Sequence, residues 1–79
     1  MSIRLGISIR NMGPQSVAST MADIAVAADQ AGLNSLWVAD HIAIPKDESS
    51  GSEGRYIDPL ATLAWLAGRT ERINFGTGV

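Results

Sequence analysis

Ile3, Leu5, Ile7 and Ile9 alternate with Arg4, Gly6, Ser8 and Arg10, and this period of two predicts a strand over residues 3–9. One face of that strand is strongly apolar and the other is small. Asn11, Met12, Gly13 and Pro14 then break the pattern: Gly13 can take a positive φ, and Pro14 turns the residue before it away from helical backbone. Val17, Met21, Ile24, Ala28 and Ala31 recur at helical spacing, which predicts a helix over residues 17–31 capped by Ser16, with Asp23 and Asp29 on its solvent side. Gly32 suits the left-handed residue that stops a helix. Leu33 and Asn34 form a short connection into an apolar run, Ser35 to Ala39, which is the second predicted strand.

That strand runs into an adjacent acid and imidazole, Asp40 and His41. Ile42 to Ile44 extend the apolar run until Pro45 removes a donor, and residues 46–54 form a charged loop rich in Ser and Gly. Asp58 followed by Pro59 is a good N-cap and first-turn pair, predicting a helix over residues 59–70. Its expected buried stripe is Leu60, Leu63, Ala64 and Ala67, widened by Trp65 and Leu66. Ile73, Phe75, Thr77 and Val79 alternate with Asn74, Gly76 and Gly78, giving a third strand over residues 73–79. Trp37, Trp65 and Phe75 are expected in the core.

Strands alternating with helices of this length predict right-handed βαβ units and a parallel sheet. Two such crossovers with the strands in order put both helices on one face and leave the other face uncovered, whereas parallel sheets are found buried on both faces. On the uncovered face strands one and three carry Gly6, Ser8, Gly76 and Gly78, which suit the crowded inside of a barrel. The pattern therefore favours a single incomplete domain over residues 1–79, the first quarter to third of a (β/α)₈ TIM barrel, over a doubly wound sheet. The connections leaving the first two strands are long and those entering the second and third are short. In either architecture ligands bind at the C-terminal edge of the strands, and Asp40, His41 and Gly78 all fall there.

Composition narrows the classes further. The chain has 79 residues, and a domain near this size buries only about 60% of its unfolded surface. It has no cysteine, so neither a disulfide nor a thiolate metal site can staple it, and a reducing cytoplasm is the expected compartment. The net charge is −2 and the six basic residues are scattered from Arg4 to Arg72, which gives no electrostatic footprint for nucleic acid. The apolar start is interrupted by Arg4 and Arg10 and is too short for a signal segment or a membrane span.

His41, the sole histidine, has an ordinary pKa near 6.5 and is suited to donate or accept a proton near neutrality. Pattern alone favours a loop histidine with a satisfied hydrogen bond. Asp40 could orient it or accept from a ligand, but an Asp ending a strand is also ordinary turn chemistry. No metal motif and no Ser-His-Asp or Cys-His arrangement can be completed from these residues. Gly76-Thr77-Gly78 could open a phosphate-binding glycine fingerprint or simply thin the strand's packing. Glu53 to Tyr56 could form part of a lid or a solvated loop.

Three stretches together, Gly32 to His41, Asp58 to Leu63 and Thr70 to Val79, resemble the luciferase-like monooxygenase superfamily, most closely its deazaflavin-dependent oxidoreductases. The resemblance implies a (β/α)₈ barrel of which this chain holds three strands and two helices. It implies hydride transfer between a flavin-type ring at the barrel mouth and a small organic substrate. The implied cofactor is the deazaflavin coenzyme F-420, or FMN, whose members share the same motifs. By the same resemblance Asp40 matches an acid near the cofactor ring, and His41 an acid/base or charge stabiliser beside the reacting carbon. Gly78 and Val79 match a bulge supporting one face of the ring. The isolated chain is expected to lack that bulge and to be inactive, and the parent barrel is expected to be a homo-oligomer without nucleic-acid or membrane partners. Two other readings stand beside this one: a non-catalytic α/β binding or self-assembling module, and another barrel enzyme such as a metal hydrolase.

Overall fold

The computed structural model describes residues 3–40 and 55–78, and in these the order of elements is the expected βαβαβ. Strand β1 is Gly6–Ser8, helix α1 is Ala18–Gln30, strand β2 is Ser35–Ala39, helix α2 is Pro59–Ala67 and strand β3 is Asn74–Gly78. The strands form one parallel sheet in the order β1-β2-β3. Ser35, Leu36 and Trp37 face Gly6, Ile7 and Ser8 on one side, and Ser35 to Ala39 face Asn74 to Gly78 on the other.

Both helices lie on the same face of the sheet. Ile9, Leu36, Val38 and Ile73 meet Met21, Ala25 and Ala28 of α1 and Leu66 of α2 in one core, with Ile7, Leu33, Leu63 and Trp65 partly buried against it. Ala25 is fully buried, and its short side chain lets α1 approach the sheet closely. Gly13 and Gly32 take positive φ, 69° and 82°, as their positions predict.

Several expectations are corrected. Strand β1 is shorter than residues 3–9: only Gly6, Ile7 and Ser8 have a register partner in β2, and Ile3 and Leu5 are 83% and 60% exposed. In α1 the buried stripe is Met21, Ala25, Ala28 and Asp29, so the apolar face is rotated and Ile24 lies at its margin. Ser16 does not cap α1. Val17 holds the N-cap position in extended backbone without a side-chain bond, while the Ser16 hydroxyl donates to the Gly13 carbonyl and closes the 3-10 turn Gly13–Gln15.

Asp29 faces inward rather than toward solvent. It accepts the backbone N–H groups of Glu71 (3.0 Å), Arg72 (2.9 Å) and Ile73 (2.8 Å), tying the end of α1 to the entry of β3. The Arg72 and Glu71 amides hold its pKa below the usual carboxylate value, outweighing the opposite effect of desolvation.

In α2 the Asp58 carboxylate accepts from Ala61 N–H at 2.7 Å and Pro59 occupies the first turn, so the predicted start holds. Its end and its stripe differ. The helix stops at Ala67, where the Gly68 N–H already bonds back to Leu66, and its buried side chains are Thr62 and Leu66 while Leu60 is 70% exposed. The Thr62 hydroxyl turns back onto the Asp58 carbonyl at 2.7 Å, which satisfies it inside the interface. Arg69 stacks its guanidinium 4.0 Å from the Trp65 ring centre, covering the outer side of that indole.

Trp37 is not in the core. It lies on the face opposite the helices, 45% exposed, with its indole N–H donating to Ser35 Oγ at 3.0 Å. A Cβ on Gly6 would stand 3.1 Å from the indole nitrogen, and one on Gly76 would overlap the six-membered ring. Gly6 and Gly76, two of the glycines predicted on the uncovered face, are therefore the seat of Trp37. Phe75 belongs to the helix-side register but is 36% exposed, at the outer strand.

Candidate functional site

The C-terminal edge of the sheet is built from the ends of β2 and β3 and the segments that follow β1 and precede α2. Ala39 and Gly78 are register partners, and the Asp40 N–H donates to the Gly78 carbonyl at 2.8 Å. Asp40 is half-buried beside it. Among the described residues nothing lies within 4 Å of the place where a Cβ would stand on Gly78.

On the other side of β2 the ladder changes character. The last backbone bond from β1 runs from Ile9 N–H to the Trp37 carbonyl at 2.8 Å. Beyond it the Asn11 side chain takes over: its Oδ1 accepts from Ala39 N–H at 2.9 Å and its Nδ2 donates to the Ala39 carbonyl at 2.8 Å. The same Nδ2 donates to the Ile57 carbonyl at 3.0 Å, and Ile57 N–H returns a bond to the Asn11 carbonyl at 2.8 Å. Asn11 is 1% exposed, so every one of these groups is withdrawn from water and paired.

The two edge segments are joined at further points. Met12 and Tyr56 form an antiparallel bridge, and Gly13 N–H donates to the Arg55 carbonyl at 3.0 Å. Arg55 Nε donates to the buried Ser16 Oγ at 2.6 Å. Residues 55–57 are thus part of a fixed wall rather than a freely solvated loop. Ser16 and Arg55 act in it through local turn geometry and a contact 39 residues apart.

The structure brings together two of the four predicted site residues, Asp40 and Gly78. His41 and Val79 lie outside the described residues, as do the glycine-to-valine bulge, the extension Ile42 to Ile44 and the loop of residues 45–54. Gly76-Thr77-Gly78 sits within β3 with Gly76 under Trp37, which favours the packing reading of that triplet. Among the described residues no group of three or more His, Cys, Asp or Glu side chains could hold a metal ion, and no helix is long and apolar enough to cross a membrane. Periodicity did not single out Asn11 or Arg55, and Ser16 was read only as a helix cap. The one available signal was an Asn directly after an apolar strand, since its amide carries both a donor and an acceptor and can imitate a strand neighbour.

A parallel βαβαβ sheet with its small residues and a carboxylate gathered at the C-terminal edge is the arrangement of an α/β protein that binds ligands there. Comparison with known sequences defines the class: a profile of the luciferase-like monooxygenase family matches residues 1–79, and the chain belongs to that family. It is 31% identical over 75 residues to an F420-dependent glucose-6-phosphate dehydrogenase of Kineococcus radiotolerans, which covers 95% of this chain and 21% of that protein. It is 42% identical over 55 residues to an F420-dependent hydroxymycolic acid dehydrogenase of Mycobacterium tuberculosis, covering 70% of this chain and 14% of that protein. The chain thus spans about a fifth or less of the length of these relatives. No solved structure is a significant match.

Proposed function

We propose that this chain is the opening βαβαβ portion of a (β/α)₈ barrel oxidoreductase that transfers hydride between a deazaflavin and a small organic substrate. The carrying observation is the bond from Asp40 N–H to the Gly78 carbonyl, which joins a carboxylate-bearing strand end to a glycine with no described residue close over it at the C-terminal edge. A planar ring fits a surface made of Ala39 and Gly78, because neither side chain rises above it. Both relatives named above are F420-dependent dehydrogenases, which supports the deazaflavin over FMN.

In this reading the deazaflavin supplies two-electron hydride chemistry when bound. Asp40, Gly78 and Val79 would hold it, and His41 would hold or move a proton for the reaction. These roles follow the family resemblance. The later strands of the barrel cover the open face around Trp37, shape the substrate pocket and complete a cytoplasmic homo-oligomer, so the 79 residues alone are inactive. A self-assembling module is the competing reading, favoured by the exposed Trp37 on an uncovered sheet face.

Absorbance titration of the whole protein with coenzyme F-420 and with FMN tests the proposal. Saturable binding of the deazaflavin is expected, preference for FMN would reassign the cofactor, and binding of neither would contradict the oxidoreductase reading. Sedimentation of the 79-residue chain addresses the alternative, since a folded oligomer of defined size would favour the module.

A further inference from the structure

We infer that Asn11 is a positioning residue for the cofactor edge: its amide fixes the Ala39–Asp40 peptide and so sets the backbone from which Asp40 projects. The inference rests on the deazaflavin reading above. The bonds of the Asn11 amide go to backbone atoms of Ala39 and Ile57, so it acts on Asp40 through the main chain.

Strand β1 pairs with β2 only as far as Ser8 and Trp37, with one further bond from Ile9 N–H. At the level of Ala39 the β1 backbone has turned away, and a parallel strand end left without a neighbour would be free to fray. The Asn11 amide replaces that neighbour. It accepts from Ala39 N–H and donates to the Ala39 carbonyl, so the carbonyl end of the Ala39–Asp40 peptide is held from the β1 side. The N–H end of the same peptide is held from the β3 side by the Gly78 carbonyl. One peptide immediately before the candidate site residue is therefore pinned from both flanks.

The third bond, from Nδ2 to the Ile57 carbonyl, fixes Asn11 itself against the segment that leads into α2. With both amide hydrogens and the carbonyl oxygen engaged and 1% exposure, the side chain has no alternative partner and no room to rotate. An Asn does this without adding charge to an edge that presents a carboxylate. Misplacement of a binding group by about 1 Å is enough to cost large factors in a preorganised site. The bond network of Asn11 controls displacement on that scale.

The test uses the whole protein and titrates oxidised coenzyme F-420, well below the melting temperature of every variant, with Asp29→Asn as a control. Asp29 holds the opposite end of the sheet, so that variant loses stability without disturbing the C-terminal edge. Asn11→Ala is expected to weaken the deazaflavin Kd by roughly tenfold, equivalent to about 1.4 kcal/mol. Asn11→Asp keeps the shape and the acceptor for Ala39 N–H but loses both donors, and it is expected to weaken Kd likewise. It supplies the answer if Asn11→Ala does not fold. Asp29→Asn is expected to keep the wild-type Kd despite a lower Tm. Asn11 variants with wild-type Kd, or a Kd that rises as Tm falls in all three variants, would overturn the inference. Wild-type protein that binds no deazaflavin would overturn the function proposed above and this inference with it, a result distinguishable from failure of the variants alone.

Discussion

Trp37 lies across Gly76, its six-membered ring occupying the space where any other residue would carry a Cβ. The pair are register partners on adjacent strands, so the overlap is built into the sheet and cannot be relieved by sliding β3. Gly76→Ala must therefore push the indole off its neighbour. Overpacking of this kind typically costs about 1–3 kcal/mol. Urea unfolding of the whole protein should show that loss. Unchanged stability would place the indole elsewhere.

Leu66 and Leu60 are the sharpest comparison within α2. Leu66 is fully buried and Leu60 is 70% exposed, although the apolar spacing assigned both to one widened stripe. Leu66→Ala should cost about 2–5 kcal/mol, while Leu60→Ala should stay within about 0.5 kcal/mol if the surface at that position is solvent in the whole protein. A large cost at Leu60 would reveal a further element packed over the helix.

Asp29 makes stability depend on pH in a stated direction. Its folded pKa is held below the ordinary value of 3.8 by the amides of Arg72 and Glu71. Its contribution is therefore fully present above the unfolded value and is lost as pH falls through the lowered, folded value. The Tm difference between wild type and Asp29→Asn should be largest near neutral pH and shrink as pH is taken below 4. A gap that widens on acidification would contradict the assigned bonds.

The order and type of the three strands and two α-helices were legible because period-two and helical spacing, Gly32 and Asp58-Pro59 are local signals. The Asp58 cap is an example: one residue pair fixes it, and the structure keeps it. The ends and the buried faces were less legible. Ile3 and Leu5 are apolar and alternate correctly, yet pairing with β2 begins only at Gly6, and no local rule says where a partner strand starts. Asp29 reads as a surface acid by composition, but three amides more than 40 residues away make its burial favourable. Trp37 was assigned to the core because it is large and apolar. Its side of the sheet is decided by alternation with Leu36 and Val38, which take the helix face.

For the candidate site, the edge was legible from the unequal loop lengths, and Asp40 and Gly78 do meet there. Asn11 was not, because its role depends on a register between β1 and β2 that only the folded chain defines. Of the segment Glu53 to Tyr56, left open between lid and loop, the described residues Arg55 and Tyr56 are bound to the turn after β1.

A structure of the whole protein with coenzyme F-420 bound tests the central proposal most directly. The account predicts the deazaflavin ring at the C-terminal edge, against Gly78 and beside Asp40, with the Asn11 amide still bonded to Ala39. A ring bound at the opposite edge, among Asp29, Gly32 and Arg72, or away from this sheet altogether, would contradict it.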